Sequence, residues 1–180
     1  MSSSPLRIRA MPIRLLALDV DGVLTDGRLY FSPDGAEIKV FDCQDGLGIK
    51  LLQQAGIQCA IITGRTSALV DQRAQDLQIP WVIKGRDDKL IALQELAQKL
   101  NLTAAQIAYV GDDLPDLSAI QWSGLGIAVA NAHPLIQQKA LWCTKNSGGR
   151  GAVREICEGL LQWQGKLAAI FDSYSLLPSL

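Results

Sequence analysis

The chain has 180 residues, of which 48% are hydrophobic and 19% are charged, and its formal net charge is -1. This composition is typical of one globular domain and excludes both an intrinsically disordered chain and a strongly basic, nucleic-acid-binding surface. Apolar runs fall short of the ~20 residues that a membrane-spanning helix needs, so we expect neither a nucleic-acid nor a membrane partner.

The numbers and spacing of cysteine and histidine limit the cellular compartments and the kinds of active site that the sequence favours. The four cysteines are scattered and form no C-x-x-C pair, which favours reduced thiols and a cytoplasmic location. His133 is the only histidine, so a zinc site or a Ser-His-Asp triad is not predicted. Its place directly before Pro134 is typical of a helix start.

The chain is predicted to form one domain with a tail at each end. Residues 1–12 are Ser-rich and basic and lack the apolar segment of a signal peptide, which predicts a flexible N-terminal tail. Residues 13–171 carry regular hydrophobic patterns and form the predicted domain. Residues 172–180 have no clear period and are predicted to be a C-terminal tail.

Within that domain, short apolar runs alternate with amphipathic stretches. The runs predict strands at Arg14–Leu18, Gln58–Ile62, Trp81–Lys84, Ile107–Val110 and Gly126–Val129. The stretches predict helices at about Leu47–Ala55, Ser67–Leu77, Lys89–Leu100, Leu114–Gln121, Pro134–Ala140 and Gly151–Gln162. This order indicates an α/β fold: a three-layer, doubly wound parallel sheet of the Rossmann type.

One segment interrupts this alternation between the first strand and the first helix. The sequence of residues 27–41 has strand-like runs on both sides of Ser-Pro-Asp-Gly. A turn sequence between two such runs predicts a β-hairpin, which we call the flap.

Acids, a hydroxyl and a lysine follow the predicted strands. Asp19 and Asp21 come after the first strand, Thr63 ends the second, Lys89 opens the helix after the third, and Asp112 follows the fourth. Because ligands of open α/β sheets bind at the carboxyl ends of the strands, these side chains are expected to meet at one rim.

These residue types suit phosphoryl transfer. Clustered carboxylates repel one another unless a cation joins them, and hard oxygen ligands with open positions suit Mg2+. A lysine and a hydroxyl can hold a phosphoryl group, while one carboxylate attacks phosphorus and another moves the proton. Each element alone is also compatible with a helix cap or a turn, so their shared order carries the prediction.

Four motifs along the chain carry a family resemblance. The segments D-V-D-G-V-L-T-D-G and I-I-T-G-R, the later Lys89 and G-D-D-L-P-D resemble, in this order, the motifs of the haloacid dehalogenase superfamily over roughly residues 14–130. The resemblance implies that Asp19 is the nucleophile and Asp21 the general acid and base. It further implies that Thr63 and Lys89 hold the phosphoryl group.

The same resemblance implies a magnesium site and an assembly. The metal ligands would be Asp19, Asp112 and the backbone carbonyl of Asp21, with Asp113 or Asp116 in support. The interval between the second and third motifs leaves no room for a cap domain, so the chain resembles the capless subfamily. In that subfamily neighbouring subunits cover the site, which implies a homotetramer built through the flaps.

A closer resemblance covers nearly the whole chain. The segments D-G-R-L-Y-F, F-D-C-Q-D-G-L-G-I-K, V-A-N-A-H-P and G-G-R-G-A-V-R-E-I-C are similar to the 3-deoxy-D-manno-octulosonate 8-phosphate phosphatase family of lipopolysaccharide biosynthesis. The implied substrate is a phosphorylated sugar acid. The implied contacts are Asp42, Cys43, Gln44, Asp45, Gly46, Lys50, Arg65, Arg73 and Lys89, with Arg150 a candidate contact in a neighbouring subunit's site.

Other functions remain open from the sequence. Gln44 stands where some members have a basic residue, and Lys50 stands where some have arginine, which lysine does not replace in bidentate contacts. A nine-carbon sugar acid phosphate is therefore an alternative substrate. A phosphorylated receiver domain would carry its acceptor aspartate after the third strand, where this chain has Lys84 and Gly85. A non-catalytic tetramerisation module is the third possibility, and the presence of both Asp19 and Asp21 argues against it.

Overall fold

The computed structural model describes residues 5–175. The strands are β1 (Leu15–Leu18), β2 (Tyr30–Phe31), β3 (Glu37–Ile38), β4 (Gln58–Thr63), β5 (Trp81–Lys84), β6 (Ile107–Gly111), β7 (Leu125–Ala128) and β8 (Trp142–Cys143). The helices are α1 (Pro5–Ala10), α2 (Cys43–Gln54), α3 (Ala68–Asp76), α4 (Lys89–Lys99), α5 (Leu117–Trp122), α6 (Pro134–Lys139), α7 (Ala152–Trp163) and α8 (Leu167–Ser175).

The main sheet is parallel and doubly wound, as predicted. Its strand order is β5-β4-β1-β6-β7-β8, so the chain moves outward from β1 to one edge and then returns to build the other half. Leu18 at the end of β1 lies between Ile61 of β4 and Val110 of β6. The reversal places the carboxyl end of β1 at the switch point, where ligands of such sheets bind.

The central strands form the floor of the hydrophobic core. All four residues of β1 are buried, which fits a strand covered on both faces. Two groups of helices flank the sheet: α2 packs on α7, and α5 packs on α4 and α6. This three-layer arrangement holds the strand ends rigidly, so side chains that follow the strands are fixed in position.

The predicted flap is confirmed as a hairpin. Tyr30 pairs with Ile38 and Phe31 with Glu37 in an antiparallel ribbon, and its turn closes through Gly35 at φ +84°. Between Thr63 and Lys89 the structure contains only α3, β5 and their loops, so this interval holds no cap domain.

The chain ends and some element bounds differ from the sequence prediction. Residues 5–10 of the predicted N-terminal tail form α1, because Ala10 and Ile13 are buried and their carbonyls accept hydrogen bonds from Gln164 Nε2. The predicted C-terminal tail begins inside α8, which continues to Ser175, and its residues 176–180 lie outside the described part of the chain. The sheet also gains β8, a strand of only two residues.

Two local predictions concern helix starts. The predicted helix at Leu114–Gln121 divides into a short 3-10 helix at Leu114–Asp116 and α5, since Asp113 caps the first turn and Pro115 follows within it. His133 Nδ1 accepts the backbone N–H of Leu135 and caps α6, which confirms its reading as a helix-start residue. None of the helices within residues 5–175 has the length and apolarity to cross a bilayer.

Candidate active site

Three neighbouring strands deliver polar side chains to one cleft. Asp19 directly follows β1, Thr63 is the last residue of β4, and Asp112 directly follows β6. The three strands are adjacent, so these residues meet as predicted. They line a cleft of about 290 Å³ together with Asp21, Gly27, Gly64, Arg65, Asp87, Lys89, Asp113, Pro115 and Asp116.

The loop after β1 is shaped by a glycine and a threonine. Gly22 has φ +95°, and a side chain there would collide with the carboxylate of Asp112. The hydroxyl of the buried Thr25 accepts backbone N–H groups from Gly22 and Gly27. The D-V-D-G-V-L-T-D-G motif therefore brings the backbone at Gly22 close to the Asp112 carboxylate, which only a glycine permits at this position.

Lys89 is a buried cation between two carboxylates. Its Nζ lies 2.9 Å from Asp19 Oδ1 and 2.7 Å from Asp116 Oδ1, and its side chain is 6% exposed. A buried ammonium is tolerated when it is paired in this way. Lys89 is thus held at the predicted nucleophile, in position to contact a phosphoryl group there.

Asp116, not Asp113, supports the acidic centre. Its Oδ1 also accepts the hydroxyl of Tyr109 at 2.7 Å, and its Oδ2 accepts the backbone N–H groups of Asp112 and Asp113. Both oxygens are therefore engaged by the protein. Asp113 caps the following turn at the surface, where its carboxylate accepts the N–H of Leu114.

Burial and repulsion between carboxylates raise the pKa values of two aspartates in this centre. Burial, and then the charge of Asp116, raise the pKa of Asp19 to about 7, against the opposing pull of Lys89. Burial and the same Asp116 charge raise the pKa of Asp112 to about 7. Carboxylate oxygens of Asp19, Asp112 and Asp116 lie within 4.8 Å of one another. This donor set fits a hard divalent cation such as Mg2+, which Asp19 and Asp112 are free to ligate.

Arg65 stands at the mouth of the cleft beside Asp21. Its Nε lies 3.8 Å from Asp21 Oδ2, and its side chain is 45% exposed. Its backbone N–H donates to the hydroxyl of the buried Thr63. This predicted substrate contact is therefore placed where an anion bound above Asp19 can reach its guanidinium.

The other predicted substrate contacts lie away from this cleft. Asp42 caps α2 by accepting the N–H groups of Gln44 and Asp45, and its carbonyl accepts Arg73 Nη2 at 2.9 Å. The guanidinium of Arg73 also lies over the ring of Phe41. Cys43 and Lys50 are exposed on α2, and Gln44 lines a separate cleft of about 440 Å³ with Arg150.

Two of these predictions require correction within the described structure. Asp45 is 1% exposed, and its carboxylate accepts the N–H of Arg154 at 2.7 Å, so it fastens α2 to the start of α7. Burial raises the pKa of Asp45 to about 6. Gly46 is buried, and a side chain at this position would collide with the guanidinium of Arg73. The contacts of Asp45 and Gly46 are thus with the protein's own helices.

Sequence reasoning missed several residues that organise the site. Asn131 donates from Nδ2 to the Gly22 carbonyl and accepts the N–H of Gly148, and the neighbouring His133 N–H donates to the Asp112 carbonyl. Tyr109 looks like an ordinary strand residue. The V-A-N-A-H-P segment was noticed only because it resembles a family motif. The residues that it contacts lie more than a hundred positions away along the chain or on another loop, so no local pattern indicates them.

The fold is a doubly wound sheet without a cap domain between Thr63 and Lys89. Its cleft contains carboxylates at the strand ends and a buried lysine. Together these features define a hydrolase of the haloacid dehalogenase type. In agreement, residues 81–156 match the family described as haloacid dehalogenase-like hydrolase. A 3-deoxy-D-manno-octulosonate 8-phosphate phosphatase from Escherichia coli is 47% identical over 165 residues, which cover 92% of this chain and 88% of the relative. The chain belongs to the family of these phosphatases.

Solved structures agree with this assignment. One is the 3-deoxy-D-manno-octulosonate 8-phosphate phosphatase from Moraxella catarrhalis, solved in complex with magnesium, phosphate and KDO. It is 46% identical to this chain and has a TM-score of 0.93. The match covers 94% of this chain and 97% of the Moraxella chain. A cobalt-bound phosphatase from Haemophilus influenzae is 40% identical with a TM-score of 0.88, covering 93% and 97%. Membership of an enzyme family decides against the receiver-domain and assembly-module alternatives.

Proposed function

We propose that the protein hydrolyses 3-deoxy-D-manno-octulosonate 8-phosphate to the free sugar acid and inorganic phosphate, as a step in making the lipopolysaccharide sugar. The observation that carries this proposal is the buried Asp19 carboxylate at the switch point, 2.9 Å from Lys89 and beside Asp112. Likeness to phosphatases of this name over 92% of the chain supports the choice of substrate.

The cofactor of this reaction is Mg2+. Asp19 and Asp112 would hold it with their carboxylates and Asp21 with its backbone carbonyl. When bound, the ion neutralises charge on the phosphoryl oxygens. The remaining chemistry falls to the side chains.

The chain's own residues can complete both half-reactions. Asp19 attacks phosphorus, and the bond from phosphorus to the sugar oxygen breaks while Asp21 gives that oxygen a proton. Lys89 and the Thr63 hydroxyl hold the phosphoryl oxygens in line. Asp21 then takes a proton from water, which attacks the aspartyl-phosphate and releases phosphate, so Asp19 is restored as a carboxylate.

Recognition of the sugar acid is assigned to cations around the cleft. Arg65 already lies at the cleft mouth and suits a carboxylate or phosphate, because its guanidinium can form paired hydrogen bonds. Lys50, Arg73 and the exposed residues at the start of α2 remain proposed contacts, which would require a neighbouring subunit to bring the two surfaces together.

A homotetramer joined through the flaps is the assembly we propose. Leu29, Phe31, Ile38 and Val40 are 49–61% exposed in a single subunit and form an apolar surface on the hairpin. Such a surface favours burial against other subunits. Light scattering is expected to give the mass of four chains, and a Phe31→Asp variant that keeps this mass would count against the flap as the interface.

A cytoplasmic location is consistent with the thiols. All four cysteines are free, and the buried pair, Cys59 and Cys157, is shielded from oxidants. We propose that the protein works in a reducing compartment. Localisation of the tagged chain after cell fractionation tests this.

Phosphate release from a panel of esters tests the substrate. We expect a clear preference for 3-deoxy-D-manno-octulosonate 8-phosphate over a nine-carbon sugar acid phosphate and an aryl phosphate, measured as kcat/KM with Mg2+. Equal or better hydrolysis of the nine-carbon ester would keep the chemistry and replace the substrate. Absence of release from every ester would refute the proposed activity.

Mg2+ is expected to raise the melting temperature more at pH 8 than at pH 5. The pKa values of Asp19 and Asp112 lie at about 7 in the folded, metal-free site, whereas unfolded aspartate titrates near ~3.9. The folded state therefore holds extra protons between these values, and its stability falls as the pH rises through that window. Mg2+ binds the deprotonated carboxylates and offsets this loss.

Thermal melting with and without Mg2+ at the two pH values measures the effect. Asp112→Asn is the matched variant and is expected to remove most of the stabilisation by Mg2+ at pH 8. An equal shift at both pH values would contradict the coupling between protons and metal.

A further inference from the structure

The flap carries a buried lysine that contacts the predicted acid and base. Lys39 follows β3, its side chain is 4% exposed, and its Nζ lies 2.5 Å from Asp21 Oδ1. The second partner of this ammonium is Glu37 Oε1 at 3.4 Å. Burying an ammonium carries a penalty of several kcal/mol that only paired groups offset. The contact with Asp21 therefore ties the flap to the loop after β1, whereas Glu37 pairs with the ammonium within the flap.

Glu37 fastens the flap to the loop that carries Arg65. Its Oε1 accepts Arg65 Nη2 at 3.0 Å, and its Oε2 accepts the hydroxyl of Ser67 at 2.7 Å. Ser67 stands at the start of α3 but makes no capping hydrogen bond with its side chain, since its hydroxyl is turned to Glu37. The bond from Ser67 lowers the pKa of Glu37, which keeps it ionised for these contacts.

The four charged groups form a closed ring of alternating sign. Asp21 contacts Lys39, Lys39 contacts Glu37, Glu37 contacts Arg65, and Arg65 returns to Asp21 at 3.8 Å. Two members come from the flap and two from loops at the sheet rim. The ring therefore fixes the direction of the Asp21 carboxylate and of the Arg65 guanidinium together, across the entrance to the cleft.

We propose that Lys39 and Glu37 are positioning residues, and that the docked flap uses them to aim Asp21 at the leaving oxygen and Arg65 at the substrate anion. The proposal rests on the proposed phosphatase mechanism, in which Asp21 moves the proton. Neither flap residue lines the cleft, so each acts through the residue that it contacts. Lys39 controls proton transfer, and Glu37 controls substrate placement.

Leaving groups of different basicity separate positioning of the acid from general damage. A sugar alkoxide needs a proton as it departs, whereas p-nitrophenolate is stable without one. In Lys39→Met we expect the single-turnover rate of sugar release to fall about 10- to 100-fold, since a misaimed acid loses part of a contribution of roughly 10²–10⁴. Release of p-nitrophenolate is expected to stay within about threefold of wild type, because it needs little help from the acid.

Two variants serve as controls: one keeps the positive charge at position 39, and the other removes an exposed lysine elsewhere. Lys39→Arg keeps the cation and is expected to recover part of the sugar-release rate. Lys139→Met removes an exposed lysine at the end of α6 and should leave both rates unchanged. Equal falls with both leaving groups, or a change in KM alone for Lys39→Met, would overturn the role of Lys39.

Glu37→Gln tests the other half of the ring. It is expected to raise KM for the sugar acid phosphate about tenfold, with kcat within about threefold, because Arg65 loses a charge-assisted partner. Hydrogen exchange of the amides in residues 37–39 and 64–67 should accelerate in this variant. Unchanged KM together with unchanged exchange would overturn the docking role.

Failure of the proposed function is distinguishable from failure of this inference. If another alkyl phosphate proves to be the substrate, the same comparison of leaving groups is made with that ester, and the substrate assignment alone falls. If no ester is hydrolysed, the phosphatase mechanism fails and the role of Lys39 in proton transfer fails with it. The exchange measurement still decides whether Glu37 docks the flap.

Discussion

An Asp19→Asn variant is expected to lose turnover by about 10⁴-fold or more while keeping its fold, since knockouts of a nucleophile reach this size. The amide has nearly the shape of the carboxylate but cannot attack phosphorus to give a stable acyl-phosphate. Lys89 keeps its contact with Asp116 at 2.7 Å, so no cation is left unpaired in the interior. The loss is therefore in chemistry and not in packing.

The same substitution has a second, opposite consequence for stability. Burial raises the pKa of Asp19 to about 7, so its carboxylate is unfavourable in the metal-free fold at pH 8. The neutral amide removes this charge. We therefore expect metal-free Asp19→Asn to melt at or above the temperature of the metal-free wild type.

Phosphate release, trapping of a phosphoenzyme with radiolabelled substrate, and circular dichroism melting check both consequences. Asp76→Asn, at the exposed end of α3, is the matched control and should retain full activity. Normal turnover in Asp19→Asn would refute the nucleophile assignment. Lost turnover with a collapsed melting transition would leave a structural role as the cause.

The features that the sequence predicted correctly are those that depend on a few neighbouring residues. Asp19, Thr63 and Asp112 were predictable because each directly ends or follows a buried apolar strand, and parallel strands bring their carboxyl ends to one edge. The flap was predictable because its turn residues stand between two short strand-like runs. These signals need only a few neighbouring residues.

What escaped prediction depends on contacts between distant segments. The choice between Asp113 and Asp116 is made by Tyr109 and Lys89, which approach Asp116 from β6 and α4. Asp45 was predicted to contact substrate by resemblance. Its carboxylate instead accepts the N–H of Arg154 at the start of α7, which lies more than a hundred residues further along the chain. The helix α1 is fixed in the same way by Gln164, which no local pattern in residues 5–10 indicates.

Replacing Lys89 by methionine is expected to damage stability and activity together. Methionine fills a similar volume but leaves Asp19 and Asp116 facing each other without their cation. Removing one partner of a buried ion pair typically lowers the free energy of unfolding by ~3–5 kcal/mol. We expect the lower end, about 3 kcal/mol, because Asp19 can take up a proton in response.

Activity should fall about 10³-fold or more, because we propose that Lys89, the buried cation beside Asp19, holds the phosphoryl group. Denaturant unfolding and phosphate release measure the two effects. Lys84→Met supplies the matched control: it breaks a more exposed pair with Asp71 and should change stability by less than about 1 kcal/mol. A similar loss in both lysine variants would contradict the special role of the buried pair.

A double variant separates the structural from the chemical part of this loss. In Lys89→Met with Asp116→Asn, one of the two facing charges is removed. The amide oxygen at position 116 can still accept the backbone N–H groups of Asp112 and Asp113, and its Nδ2 can donate to the Tyr109 hydroxyl. We expect the double variant to regain much of the unfolding free energy but none of the activity. Recovery of turnover as well would mean that Lys89 serves only to balance Asp116, and that the phosphoryl group is held by other residues.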